Sequence, residues 1–155
     1  MKIVLYAVGR LGRAPEAALA LDYALRATAG GKALGLGPVE VVEVESKKPG
    51  KAAEGEALLA AIGADVHLIC CDEHGKAWGS RDFSARIGRL RDQGVRRLAF
   101  VIGGADGLSP AVLAAASETL AFGPQTWPHA LARAMLAEQV YRATNILAGG
   151  PYHRD

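Results

Sequence analysis

The sequence predicts an α/β fold, a single domain over residues 1–155 in which a largely parallel sheet is flanked by helices. Three observations carry that expectation. Short runs rich in Val, Ile and Leu alternate with longer segments of helical spacing. A chain of 155 residues with 50% hydrophobic content can build one core. Glycines punctuate the junctions between segments, where turns belong.

Residues 3–8 read as the first strand and 16–29 as the first helix, with Leu19, Tyr23 and Arg26 spaced along it. Gly30, Gly31, Gly35 and Gly37 then break the chain. Residues 39–44 form a second strand with Glu40 and Glu43 on it, and 51–62 a helix closed by Gly63. A third strand covers 66–71, an arginine-rich helix covers 83–93 and ends at Gly94, and the apolar run 98–102 suits a sheet centre covered on both faces. Ser109-Pro110 opens a short helix through residue 116, because serine caps free N–H groups and proline tolerates the first helical position. Residues 119–122 read as a fifth strand and 130–147 as a final helix anchored by Leu131, Met135, Leu136, Val140 and Ile146.

The formal net charge of +2 does not announce nucleic-acid binding, so the distribution matters more than the sum. Between residues 76 and 97 stand Lys76, Arg81, Arg86, Arg89, Arg91, Arg96 and Arg97 against Asp82 and Asp92, an excess of five. A smaller basic cluster is Lys47, Lys48 and Lys51. The usual fate of such runs is a solvated face; holding RNA backbone is the functional alternative. Cys70 and Cys71 are adjacent on a strand and point to opposite faces, which argues against a bond between them and for a reducing compartment. No cleavage pattern follows the first apolar run and no stretch approaches the ~20 residues of a membrane span, so the expected location is cytoplasmic, without membrane or DNA partners.

Gly103-Gly104-Ala105-Asp106-Gly107 follows a strand and precedes a helix, where backbone N–H groups can approach a ligand; read alone, it is equally a tight turn. Its spacing is not the dinucleotide fingerprint, which disfavours a nucleotide-dependent oxidoreductase. Gly9-Arg10-Leu11-Gly12 reads as a turn. Glu138 and Arg142 lie four apart on one helix face, and an ordinary ion pair explains them as well as a substrate role does. His67 and His74 read as structural. No Cys-x-x-Cys, helical His pair or dense acidic cluster suggests a metal.

The motifs Val101-Ile102-Gly103-Gly104-Ala105-Asp106-Gly107-Leu108-Ser109, Thr126-Trp127-Pro128-His129 with Arg133, Glu138-Gln139-Val140-Tyr141-Arg142-Ala143 and Pro151-Tyr152-His153-Arg154 follow one another to the terminus. In that order and spacing the chain resembles the small ribosomal RNA methyltransferases of the trefoil-knot (SPOUT) class, which methylate a pseudouridine of the large-subunit RNA. The resemblance implies a C-terminal trefoil knot, a homodimer, and transfer of a methyl group from S-adenosylmethionine to N3 of a pseudouridine in 23S rRNA on the assembled ribosome. It places the cofactor against Cys71, Gly103 and the loop Phe122, Gly123, Pro124, Gln125, Thr126 and Trp127. It gives catalytic roles to Glu138, Arg142, Tyr152 and His153, and RNA contacts to His129, Arg133 and Arg154. For the general base, His153, His129 and Glu138 stand open in that order, with solvent as another source. The rival reading is a non-catalytic knotted module that binds RNA or the ribosome.

Overall fold

The computed structural model describes residues 1–154; Asp155, the last residue of the predicted substrate tail, lies outside them. Strands β1 (Lys2–Val8), β2 (Val39–Val44), β3 (His67–Ala77), β4 (Arg97–Ile102) and β5 (Glu118–Ala121) form one parallel sheet in the order β2-β1-β4-β3-β5. Helices α1 (Pro15–Gly31), α2 (Lys51–Ile62), α3 (Ser80–Asp92), α4 (Pro110–Ala115) and α5 (His129–Leu147) cover it.

Strand alternation divides the core in two. Ile3, Leu5, Leu98 and Phe100 pack against α1, α3 and α5, while Val4, Tyr6, Ala99 and Val101 face Leu58, Ile62 and Val112 of α2 and α4. Full burial of a Leu, Ile or Phe here contributes about 1.5–3 kcal/mol each. Ala20, Ala24 and Ala27 of α1 lie fully buried, and small side chains there let α1 pack along Ala137, Val140 and Ala143 of α5.

The predicted strands and helices appear, with two differences that matter. Residues 72–77 belong to β3, which leaves its partner after Cys71 and rejoins it at Lys76, so that both residues oppose Leu120 of β5. The polar run Asp72-Glu73-His74-Gly75 is the excursion between them; it has no apolar alternation, so it reads as loop in sequence. Gly75 is required there, because a methyl group on it would lie 2.7 Å from the Leu120 backbone. The arginines of α3 also differ from an open basic face. Arg86 donates Nε and Nη2 to Glu118 at 2.9 and 2.8 Å, and Arg91 reaches Asp92 and the Leu34 carbonyl.

Arg133 departs furthest from expectation. It is 1% exposed, with Nη1 on Glu43 at 3.1 Å and Nη2 on the carbonyls of Gly9 and Val8 at 3.0 and 3.3 Å. A guanidinium so enclosed cannot meet RNA, and the RNA contact expected of Arg133 is corrected to a structural clamp between α5, β1 and β2. Burial lowers its hold on its proton, and the adjacent Glu43 carboxylate restores part of it.

Glu118 at the start of β5 takes both Arg86 and, at 2.7 Å, Nε2 of His67 at the start of β3. Burial pushes its carboxyl up, but Arg86 and His67 outweigh burial and hold it below the ordinary value. Its stabilising effect is therefore present above the ordinary carboxylate range and lost as pH falls through the lowered value. Glu118→Gln should cost about 1–3 kcal/mol in urea unfolding at neutral pH, and the gap to the parent should close in acid. Arg133→Ala, which leaves Glu43 and two carbonyls without their donor, should cost about 3–5 kcal/mol in the same measurement.

Candidate active site

The carboxyl ends of β3, β4 and β5 enclose a cavity of about 290 Å³. Its floor is the segment after β4. Gly104 and Gly107 pair as an isolated bridge, with the Gly107 N–H donating to the Gly104 carbonyl at 3.1 Å, and Gly107 sits at φ +78°. A side chain on Gly103 would meet the Gly107 carbonyl carbon at 2.6 Å. Gly103 thus lets the strap close on itself, in addition to presenting bare backbone to the cavity.

The opposite wall is the loop after β5. Trp127 donates Nε1–H to the Phe122 carbonyl at 3.0 Å, which closes the loop, and Gly123 takes φ +89° at its bend. Phe122, Gly123, Gln125, Thr126 and Trp127 line the cavity; Pro124, also exposed, does not. Cys71 lines it from β3, while Cys70 turns to the other face and reaches the Val112 carbonyl at 3.7 Å. Burial pushes the Cys70 thiol up to about 12, with Asp72 adding to it, and burial raises the Cys71 thiol as well, so both remain protonated thiols. His129, the first residue of α5, also faces the cavity.

Among the wall residues that sequence reasoning missed are three acids, Asp72 and Glu73 of the β3 excursion and Asp106 of the strap. Asp106 lay inside a motif already singled out. The other two directly follow Cys71, and that adjacency was the available signal.

The terminal residues fold back on α5 rather than trailing away. Tyr152 takes its N–H to Asn145 Oδ1 at 2.9 Å and its hydroxyl to Glu138 Oε1 at 3.0 Å. Glu138 also accepts from Arg142, whose Nη1–H donates to His153 Nδ1 at 3.2 Å and whose guanidinium lies 4.7 Å over the Tyr152 ring. Tyr141 packs tilted against the same ring at 4.7 Å between centroids. Glu138, Arg142, Tyr152 and His153 are therefore one cluster, and Arg154 is exposed beside it. Burial, with Tyr23 and Glu138 nearby, raises the Tyr152 hydroxyl well above its ordinary value, so it is a donor and not a base. Because a guanidinium can only donate, Nδ1 of His153 is an acceptor and the neutral ring carries its proton on Nε2.

Within one chain the cluster does not face the cavity. Glu138 borders a second, more apolar hollow of about 600 Å³, formed with Leu19, Trp78, Leu131 and Met135, and the two hollows share Leu120, Phe122 and Gly123 as a common wall. Among the described residues no group of three or more His, Cys, Asp or Glu side chains could hold a metal ion, and no helix is long and apolar enough to cross a membrane.

Known proteins match this arrangement over its whole length. A family profile described as "Predicted SPOUT methyltransferase" matches residues 1–153. The protein of Phenylobacterium zucineum (strain HLK1) named ribosomal RNA large subunit methyltransferase H is 70% identical over 155 residues, covering all of both chains. Its namesake in Caulobacter sp. (strain K31) is 68% identical with the same coverage. In three dimensions the probable methyltransferase of Bordetella pertussis Tohama I superposes with a TM-score of 0.55 at 20% identity, over 92% of this chain and 96% of that one, which speaks for the fold. The five-stranded parallel sheet, the cavity at its carboxyl edge and these full-length matches agree: the chain belongs to the SPOUT methyltransferase family, in the group of the ribosomal RNA large subunit methyltransferases H.

Proposed function

We propose that this protein transfers a methyl group from S-adenosylmethionine to N3 of a pseudouridine in 23S rRNA, on the assembled ribosome and as a symmetric homodimer with the trefoil-knotted terminus of its family. The observation that carries the reading is the cavity at the carboxyl edge, together with the cluster of Glu138, Arg142, Tyr152 and His153, whose Glu138 borders the hollow beyond the cavity's wall.

The wall residues suit the cofactor. Leu120, Phe122 and Trp127 offer apolar surfaces to an adenosyl group, and the strap 103–107 offers backbone atoms. Asp72, Glu73 and Asp106 suit ribose hydroxyls and positive charge. When bound, the cofactor supplies an activated sulfonium methyl, so alignment with the attacking nitrogen accounts for much of the rate. The chain's share is to bind, orient and ease loss of the imino proton. Tyr152 offers a ring for stacking a base. In this reading His153 donates from Nε2 to a uracil carbonyl in the complex with RNA and stabilises the imide as its proton leaves, and solvent takes that proton. His153 is thus a donor in this reading, in place of the base that the sequence favoured. Glu138 fixes Tyr152 and Arg142 as a positioning residue.

The cluster and the cavity face different hollows of one chain, and the second hollow is an apolar groove with Leu19 and Leu131 exposed at it. A second copy seated there covers this surface and brings its own cluster toward the shared wall, as closed two-fold pairing allows. Light scattering should report twice the 16.2 kDa chain mass. A monomer with full activity contradicts the pairing.

Calorimetry should show S-adenosylmethionine binding to the intact protein and, nearly unchanged, to a variant lacking residues 152–155. Single-turnover transfer to ribosomes from cells without the protein should proceed with the former and fall by at least about 100-fold with the latter, the scale of a lost acid–base or donor group. Binding without any transfer by the intact protein would favour the non-catalytic module. Full transfer by the truncated variant would remove the cluster from the reaction.

A further inference from the structure

The clearest charge feature outside the candidate site lies on the two loops that follow β1 and β2. Residues 9–13 and 45–51 carry Arg10, Arg13, Lys47, Lys48 and Lys51, all exposed, against the single acid Glu45. Arg10 reaches Glu45 at 3.1 Å in a solvent-exposed pair, which is worth little; the other four make no ion pair among the described residues. Three arginines of α3 and its neighbourhood are spent differently, while Arg89 and Arg96 stand exposed and apart from one another in sequence. Arg86 is bound to Glu118, Arg91 to Asp92 and the Leu34 carbonyl, and Arg97 to the carbonyls of Ala64 and Ile62.

Both loops are held in place. Glu43, pinned by Arg133, accepts from the Leu11 N–H at 3.4 Å, and Ser46 exchanges two bonds with the Lys48 backbone at 2.7 and 3.2 Å, turning Lys47 outward. They also adjoin the cofactor cavity. Both leave the carboxyl edge of the sheet, and Val8 and Glu54, which line a hollow of about 380 Å³ with Gly9, Lys47 and Lys48, lie against Gly104 of the cavity wall. The side-chain position of Gly104 is 3.2 Å from Glu54 Oε2 and 3.3 Å from Val8 Cγ1, so one thin seam separates the two.

We propose that these loops are the surface that receives the phosphodiester backbone of the RNA, beside the nucleotide being methylated. The proposal rests on the RNA-methyltransferase reading above and assigns it a place: the attraction comes from the β1 and β2 loops and not from the arginine-rich helix that sequence composition singles out. Four uncommitted cations, three on preformed loops and Lys51 at the first residue of α2, meet phosphates without first breaking internal pairs.

The test is the full-length protein with Lys47→Gln, Lys48→Gln and Lys51→Gln combined, compared with Arg89→Gln on α3, an exposed helix arginine. Binding to ribosomal particles is followed by co-sedimentation across a potassium chloride series, with calorimetry for S-adenosylmethionine and circular dichroism for the fold. The triple variant should bind at least about tenfold more weakly at low salt, with the slope of log affinity against log salt reduced by about 2–3, while cofactor affinity and spectrum stay native. Arg89→Gln should change neither. A triple variant with the parent's affinity and slope overturns this surface and leaves the enzyme reading standing, as does a loss confined to Arg89→Gln. A parent protein that binds no ribosomal particle at any salt concentration overturns both.

Discussion

The arrangement depends on one buried cation. Arg133 enters the fold from the first turns of α5 and holds the ends of β1 and, through Glu43, of β2. Enclosing a guanidinium costs several kcal/mol unless its donors are matched, and here three of its bonds go to a carboxylate and two carbonyls while Nε is left without a partner. What the clamp gives in return is position. The loop 122–127 runs directly into α5 and the terminal cluster hangs from its far end, so the pose of this helix sets both halves of the candidate site. The same Glu43 orients Leu11, which extends the clamp to the loop after β1.

The two halves are built from different materials. Around the cavity, backbone does much of the shaping: a strap closed on itself by Gly103 and Gly107, and a loop closed by the Trp127 indole. Such walls are rigid and tolerant of a ligand's shape. The terminal cluster is made of side chains that satisfy one another, with Glu138 taking both Tyr152 and Arg142, and Arg142 fixing the tautomer of His153. A reaction whose methyl group arrives already activated asks for orientation more than for strong acids and bases, and this division suits it.

Much of the fold was legible in sequence because its cause is periodic. The continuous apolar runs of β1 and β4 and the Ser109-Pro110 start of α4 each act locally, and Ser109 does accept the Val112 N–H as a cap at 3.4 Å. The site motifs were singled out through resemblance, and the structure draws Cys71, Gly103 and the loop residues 122, 123 and 125–127 around one cavity. What stayed hidden depends on partners distant in sequence. Nothing near Arg133 tells that Glu43, 90 residues away, will enclose it, and nothing in the arginine spacing of α3 shows that Glu118 will claim Arg86. The extension of β3 was hidden for the opposite reason: its pairing resumes after a polar stretch with no strand signal of its own.

That extension has a consequence for how the molecule tolerates change. Cys71 and Lys76 face the same residue of β5, so the pairing on either side is set apart from the chain between them. Residues added or removed within 72–74 alter the rim of the cavity without sliding a strand, whereas the same change in β1 or β4 would turn core residues outward. The excursion is therefore a module in an otherwise fixed frame, a point where the opening of the cavity can be reshaped by selection or by design at little cost to the sheet.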